Sequence, residues 1–399
     1  MRTIIYTGKG GVGKTSLSAA TGLASAARGH KTLVVSTDNA HSLGDALDVP
    51  LGPDAKQVRP NLFAQEIDVL TEMERHWQQV YGYLVSLLAS QGVEEITAKE
   101  VVILPGMELI TSLLLLESYE RSRAFDVVVL DTAPTADTLR LLSFPDAMEW
   151  YFTHVFRMQR RLVKVARPTV GKMMKTPLPT DGFFASLEEL YTRFRRVREI
   201  LTDPKSSSVR LVLNPERMVI AETQRAFTYL CLFGFPVEML VVNRVFPPNA
   251  ENSGYLQTVL SQQAKNLGTI QEVFGEIPRR EVPRYPEEVI GEERLRQLAQ
   301  DVFRDEDPTR VFASQIPIRF SSRGKSKFVS IDLPFASQEK IEVDMRGDSL
   351  YVRVGWYKRA LLLPYAFLDS RVTGATFRDG RLTVEFQSPT APRRSRAPA

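Results

Sequence analysis

The stretch of sequence that decides the fold runs from Thr3 to Thr15 and reads TIIYTGKGGVGKT. Its first five residues are apolar or β-branched, which is typical of a buried parallel strand. The remaining residues form a glycine-rich run that ends in Lys-Thr and leads into a helical pattern. A strand, this loop and a helix in that order are the context in which a phosphate-binding loop occurs.

The loop therefore predicts an ATP site, because its glycines let successive backbone N–H groups face phosphates and the following helix adds its dipole. Lys14 is expected to reach the β- and γ-phosphates, and the Thr15 hydroxyl is expected to ligate Mg²⁺. The residues predicted here to bind ATP are Gly8, Lys9, Gly10, Gly11, Val12, Gly13, Lys14, Thr15 and Ser16.

Two aspartates follow other strand-like runs. Asp38 comes after Thr32–Ser36, and Asp131 ends Val127–Asp131. The carboxyl ends of adjacent parallel strands face the phosphate loop, so both carboxylates are predicted to hold Mg²⁺ through water.

The fold class predicted for residues 1–314 is α/β, a doubly wound and mainly parallel sheet of a phosphate-loop ATPase. Arg210–Asn214 and Leu240–Asn243 continue the series of apolar strands, with helical stretches between them. Two long helical stretches, at about 70–120 and 148–202, do not fit this alternation of strands and helices. We expect them to form an inserted helical subdomain.

The pattern of apolar and polar residues changes near residue 315. Apolar residues alternate with polar ones, and Gly347-Asp348 and Asp379-Gly380 stand where hairpins should turn. Residues 315–388 are predicted to form an all-β sandwich. Residues 389–399 are rich in Pro, Ala and Arg, and we expect a disordered tail.

Composition narrows the function classes. Of the 399 residues, 43% are hydrophobic and 25% charged, as in a soluble globular protein, and Cys231 is the single cysteine. One thiol excludes an internal disulfide framework.

The net charge is +4, but residues 151–210 hold thirteen Lys or Arg and five Asp or Glu, a local +8. Because the basic excess is confined to one segment, no nucleic acid partner is expected. No targeting or membrane-spanning segment is expected either, so the predicted location is cytoplasmic.

Three ordered motifs, GKGGVGKT, STDNAHSLGD and DTAPTADTLRLL, resemble the family of arsenite-pump ATPases and tail-anchored-protein targeting ATPases. The resemblance implies that Asp45 orients or deprotonates the attacking water. Lys9 matches the early lysine of the deviant Walker A loop, which crosses to the phosphates of a second subunit, so a homodimer is implied. Asn243 resembles the adenine-recognising asparagine, and Pro283 and Tyr285 lie where the family packs the base.

The single cysteine separates this chain from parts of that family. Arsenite activation there needs several clustered thiols, and the eukaryotic targeting members share a zinc through Cys-x-x-Cys pairs. Cys231 lies in an apolar pattern and is predicted to be a buried small hydrophobe. Arsenite transport is therefore disfavoured, and no zinc is expected. The cofactors implied are ATP and Mg²⁺.

Within the C-terminal module, three segments resemble the α-crystallin domain of small heat-shock proteins. They are VSIDLP from Val329, LLLP from Leu361 and ATFRDGRLTV from Ala375. The Ile-x-Ile tail that drives assembly of those chaperones is missing after the domain, so large oligomers are not expected. The module is expected to dock on the helical groove, to bind clients or to act as a spacer.

The leading hypothesis is a homodimer whose ATP hydrolysis opens and closes a groove for an apolar client, such as a tail-anchored membrane protein. The helices can equally pack only on one another; alternatively Met148, Met158, Met173 and Met174 suit an adaptable surface. The basic segment favours a solvated face, with acidic clients or a transient membrane contact as alternatives. The second hypothesis is a general client-holding chaperone with slow regulatory hydrolysis. A membrane-positioning ATPase of the cell-division type ranks last.

Overall fold

The computed structural model describes residues 1–37, 42–68, 71–72, 78–94, 97, 107–132, 152, 156, 179–247, 254–324, 326–367 and 370–387. Several predictions made above lie outside these residues. They concern Asp38, the four methionines of the helical surface, most of the stretch 148–178 and the tail 389–399. The chain divides into two compact units, one of residues Met1–Ala226 and Phe235–Gln315, the other of residues Phe227–Gly234 and Ile316–Ala399.

In the described part of the first unit, eight strands form one sheet in the order β3-β4-β2-β5-β1-β6-β7-β8. All neighbours are parallel except β3 and β4. The strands are β1 (Arg2–Gly8), β2 (Thr32–Ser36), β3 (Lys56–Arg59), β4 (Leu62–Glu66), β5 (Val127–Asp131), β6 (Ser207–Leu213), β7 (Val237–Val245) and β8 (Arg279–Pro283).

The helices connect these strands and cover the sheet. They are α1 (Lys14–Ala27), α2 (Ser42–Leu47), α3 (Gln78–Ser90), α4 (Met107–Ser122), α5 (Asp181–Thr202), α6 (Arg217–Phe233), α7 (Gly254–Phe274) and α8 (Gly291–Phe303). No helix among the described residues is long and apolar enough to cross a bilayer. The predicted doubly wound α/β architecture is confirmed.

Three strands were not predicted, and each has a reason. Strand β3 lies at an edge, and three of its four residues are polar and exposed, so it lacks an apolar run. Strand β8 lies at the other edge and carries two arginines and a glutamate. Strand β4 ends in the polar pair Gln65-Glu66, although both side chains are buried.

A charged network lies inside the first unit beside the central strands. The Arg210 Nε atom donates to Glu238 Oε1 at 2.8 Å, and Arg2 Nη2 donates to Glu238 Oε2 at 2.8 Å. Arg210 also donates to the Tyr6 hydroxyl and to the Pro308 carbonyl. Burial opposes ionisation of Glu238, but the charges of Arg210 and Arg2 outweigh it and lower the pKa of its carboxyl group.

The second unit contains two antiparallel sheets, with strand orders β14-β15-β10-β9 and β11-β12-β13. The strands are β9 (Ile318–Arg323), β10 (Ser326–Asp332), β11 (Ile341–Arg346), β12 (Ser349–Val354), β13 (Tyr357–Leu362), β14 (Arg371–Arg378) and β15 (Arg381–Gln387). In β10, β12 and β15 the alternating apolar residues are buried. This pattern confirms the predicted all-β module.

The same unit includes the last two turns of α6, which we call the α6 end segment (Phe227–Gly234). Arg359 on β13 is 3% exposed and donates to the Leu232 carbonyl, one of the last carbonyls of the helix. A cation there satisfies an acceptor that the helix leaves open and opposes the negative end of its dipole.

The single cysteine lies in the α6 end segment. Cys231 is 2% exposed, and burial, together with the Asp332 carboxylate, raises the pKa of its thiol. The prediction that Cys231 is a buried small hydrophobe is confirmed.

Candidate functional site

The phosphate loop joins β1 to α1 as the motif predicted. Gly13 occupies the N-cap of α1 in a left-handed conformation, with φ of 97°. A β-carbon at this position would lie 2.3 Å from the Asn243 Nδ2 atom, so glycine is required for backbone and for space. The Lys14 ammonium donates to the Lys9 carbonyl at 3.2 Å, which places it over its own loop.

The Thr15 hydroxyl and the Asp131 carboxylate are brought together. Thr15 Oγ1 donates to Asp131 Oδ2 at 2.7 Å, and Asp131 is 1% exposed at the end of β5. The hydroxyls of Ser18 and Ser36 also lie within hydrogen-bond distance of this carboxylate, at 3.5 and 3.4 Å. The hydroxyl of Ser42, the first residue of α2, lies 3.3 Å from Thr15 Oγ1. Mg²⁺ prefers oxygen ligands, so the hydroxyl of Thr15 and the carboxylate of Asp131 fit this ion.

A cavity of about 470 Å³ opens beside the loop. Its walls combine the loop, α2, the end of β7 and the segment after β8. Predicted site residues that line it are Gly13, Thr15, Ser16, Asp45, Asn243, Pro283 and Tyr285. Predicted site residues as far apart in sequence as Gly13 and Tyr285 thus share one cavity, of a volume that fits a small ligand.

Asn243 is held by two backbone contacts at this cavity. Its Nδ2 atom donates to the Val12 carbonyl at 2.8 Å, and its Oδ1 atom accepts the Arg244 N–H at 2.9 Å. A side-chain amide has two donors and two acceptor sites. One donor and one acceptor therefore stay available at Asn243 for a base edge.

Tyr285 is oriented by a contact outside the cavity. Its hydroxyl donates to Asp301 Oδ2 on α8. Burial, the hydrogen bond to Asp301 and the negative charge of Asp301 raise the pKa of Tyr285. The ring is thereby held against the cavity with its polar end directed at α8.

Sequence reasoning missed several residues that also line the cavity. Arg244 has a left-handed backbone, with φ of 58°, and an exposed side chain; its guanidinium forms no ion pair within the described ranges. Arg284 lies over the Phe246 ring at 4.9 Å. Ser42 lies inside the motif that contains Asp45, so its position was available as a signal. Nothing in the sequence pattern distinguished the two arginines from surface cations.

Among the described residues, no group of three or more His, Cys, Asp and Glu side chains is arranged to hold a metal ion. Asp38 lies outside the described residues, so its place at the site remains a prediction.

Comparison with known proteins gives matches to two family models. The family model described as "Anion-transporting ATPase" matches residues 1–304, and the model of the HSP20-like domain found in ArsA matches residues 324–386. A relative from Aquifex aeolicus named "Putative arsenical pump-driving ATPase 1" is 43% identical over 373 residues, which cover 91% of this chain and 94% of the relative.

Two further relatives extend the range. The protein with the corresponding name from Chlorobaculum tepidum is 39% identical over 389 residues, covering 97% of this chain and 96% of the relative. The protein named "ATPase GET3" from Rhodotorula glutinis is 30% identical over 302 residues, covering 74% of this chain and 86% of the relative. The matches confirm the resemblance found in the three motifs and in the C-terminal module. The chain therefore belongs to the ArsA-type ATPase family, is an ATP hydrolase, and carries the HSP20-like domain of that family after its ATPase domain.

Proposed function

We propose that the protein is a Mg²⁺-dependent ATPase in which nucleotide state opens and closes a homodimer that binds an apolar protein client. The observation that carries the ATPase part is the cavity shared by Thr15, Asp45 and Asn243 beside the phosphate loop. A tail-anchored membrane protein is the candidate client, as the family resemblance implies.

The loop residues Gly8 to Ser16 bind the triphosphate in this proposal, with Lys14 and Lys9 neutralising its charge. Asn243 reads the adenine edge with its remaining donor and acceptor, and Pro283 and Tyr285 pack against the base. These roles follow from the polarity of each group and from its place at the cavity.

Hydrolysis then needs a positioned water molecule and stabilisation of charge on the γ-phosphate. Asp45 is exposed on α2 at the cavity wall, where it can orient or deprotonate water for in-line attack. Thr15 would ligate Mg²⁺ directly, and Asp131 and Asp38 would hold it through water. The ion supplies charge neutralisation on the phosphates.

The site assignment is tested by two substitutions. Lys14→Ala should abolish ATP hydrolysis because it removes the cation at the phosphates. Asp45→Asn should keep ATP binding and lower turnover by at least about 100-fold. Steady-state hydrolysis and nucleotide titration measure both. Undiminished hydrolysis by Lys14→Ala would show that the phosphate loop is not the site.

Dimerisation rests on Lys9, whose ammonium forms no ion pair in the part of the chain described here. A lysine that crosses to the phosphates of a second subunit needs a free head group. Sedimentation with ATP and Mg²⁺ should show a dimer that Lys9→Ala weakens. A wild-type chain that stays monomeric with bound ATP would contradict the proposal.

The client groove is supported by an aromatic cluster in the helical region. Phe152, Phe156 and Phe184 are buried together, and the Phe152 ring stacks on Tyr191 at 4.5 Å. In this proposal the buried rings form the core beneath the groove, and the apolar faces of the same helical region receive an apolar helical client. Purified Asp45→Asn protein with ATP should retain a recombinant tail-anchored protein, and deletion of the client's membrane helix should end retention.

The alternative is a general holding chaperone, which the HSP20-like domain favours. It predicts that the protein suppresses aggregation of a chemically unfolded soluble client without ATP, and that removal of residues 316–399 ends this. Failure to retain the tail-anchored protein together with such suppression would favour the alternative. A cytoplasmic location and a transient membrane contact stay predictions.

A further inference from the structure

A second buried carboxyl group lies on the same row of the sheet as Asp131. In the register of the sheet, Ser36 pairs with Asp131 on one side and with Glu66 on the other. Directly paired residues of neighbouring strands point to the same face. Glu66 is 5% exposed, so the row presents two buried carboxyl groups at the carboxyl end of the sheet.

The two groups hold different elements. Asp131 accepts the Thr15 hydroxyl of α1, whereas Glu66 Oε1 accepts the backbone N–H of Gly44, in α2, at 2.9 Å. Gly44 immediately precedes Asp45. The Glu66 carboxyl group therefore contacts the backbone one residue away from the proposed catalytic carboxylate.

Gly44 is fixed from its other side as well. Its carbonyl accepts the Val49 N–H at 3.0 Å, and a β-carbon on it would lie 3.0 Å from the Val49 carbonyl. Leu43 and Leu47 of the same helix are buried, whereas Asp45 is exposed at the cavity. A six-residue helix has few hydrogen bonds of its own, so its position depends on tertiary contacts, and those of Gly44 are among them.

From this arrangement we infer that Glu66 is a positioning residue for hydrolysis, which fixes α2 and thereby the Asp45 carboxylate over the phosphate loop. The inference rests on the proposed role of Asp45. A displacement of about 1 Å of a group that orients the nucleophile can lower a rate by about 100-fold. Loss of the Glu66 acceptor should therefore act on turnover more than on ATP binding.

The test compares three variants of the full chain. Glu66→Ala removes the acceptor and should lower kcat by roughly 10- to 100-fold with KM for ATP within about threefold. Glu66→Gln keeps an oxygen acceptor and should stay within about threefold of the wild-type kcat. Gln65→Ala is the matched control, since Gln65 is buried on the same strand but donates to Pro53 and accepts from Tyr119.

A structural readout accompanies the kinetics. Deuterium exchange in the peptide 42–50 should accelerate in Glu66→Ala and stay near the wild-type rate in Glu66→Gln and Gln65→Ala. If Glu66→Ala does not fold, Glu66→Met fills a similar volume without an acceptor and takes its place. Wild-type kcat in the variant without an acceptor would overturn the inference.

A double variant separates this inference from the proposed function. If Glu66 acts only through Asp45, Asp45→Asn with Glu66→Ala should have the residual single-turnover rate of Asp45→Asn, within about twofold. A further loss of 10-fold or more would show an independent effect of Glu66 and overturn the inference. Full turnover by Asp45→Asn alone would instead reject the role of Asp45.

Discussion

At the scale of single residues, Gly13 joins the phosphate loop to β7. A methyl group at this position would clash with the Asn243 amide. Alanine would also have to adopt the left-handed backbone of Gly13, which by itself costs about 1–2 kcal/mol of stability. Gly13→Ala should therefore weaken ADP binding by at least about 10-fold, because either the loop or the Asn243 amide must move. Isothermal titration measures the affinity.

The matched control is Gly29→Ala. Gly29 also has a left-handed backbone, with φ of 91°, but no atom lies within 4 Å of a β-carbon built there. This variant should lose about 1–2 kcal/mol of stability, the same backbone cost as at Gly13, and keep its ADP affinity. Equal ADP affinities for both variants would mean that the Asn243 contact does not matter for the site.

Tyr285 offers a second prediction at this scale. Tyr285→Phe removes the hydrogen bond to Asp301 and keeps the ring, so ATP affinity should change by less than about threefold. Tyr285→Ala removes the ring and should weaken ATP binding by about 10-fold, since an aromatic contact with a base contributes about 1–3 kcal/mol. A larger loss for Tyr285→Phe than for Tyr285→Ala would contradict packing by the ring.

At the scale of elements, a buried arginine of the β module contacts the end of α6. Arg359→Leu removes the cation that donates to Leu232 and should destabilise the second unit by about 1–3 kcal/mol. Deuterium exchange should rise in the α6 end segment and in β13. Unchanged exchange in both would show that the Leu232 contact contributes nothing.

The elements also show what sequence could predict and why. Strands β2 and β5 were predicted with their observed bounds, because a strand buried on both faces is mostly apolar. The edge strands β3 and β8 have no such constraint and were missed. Thr15 and Asp131 could be placed at one site because strand ends and the phosphate loop have a fixed relation in this fold. Arg244 and Glu66 could not be placed at the site from sequence, because their positions depend on tertiary contacts that produce no recognisable local sequence pattern.

At the scale of the whole molecule, the first unit contains an ion pair with almost no access to water. Both side chains of the Arg210–Glu238 pair are 0% exposed, whereas Arg279–Glu281 at the surface is 27% and 40% exposed. Glu238→Gln leaves the buried arginine charge without its counterion. It should lower the free energy of unfolding, measured by chemical denaturation, by about 3–5 kcal/mol. Glu281→Gln should cost at most about 1 kcal/mol.

The same pair gives a pH dependence of defined sign. The pKa of Glu238 is lowered from its ordinary value of 4.5 in the folded chain. Its contribution to the free energy of unfolding is thus fully present above about pH 4.5 and is lost as pH falls through the lower folded pKa. The difference between wild type and Glu238→Gln should be constant near neutral pH and should shrink in acid. A difference that grows on acidification would contradict the network.

The burial of Cys231 makes the chain its own reporter. Because the sequence has one thiol, every alkylation event comes from a single atom in the α6 end segment. A maleimide or disulfide reagent can react only when the α6 end segment around Cys231 opens, so the labelling rate measures the free energy of that local opening. Repeating the measurement with ADP, with ATP and with a client would show whether nucleotide binding in the first unit changes the labelling rate of Cys231. No engineered probe is needed.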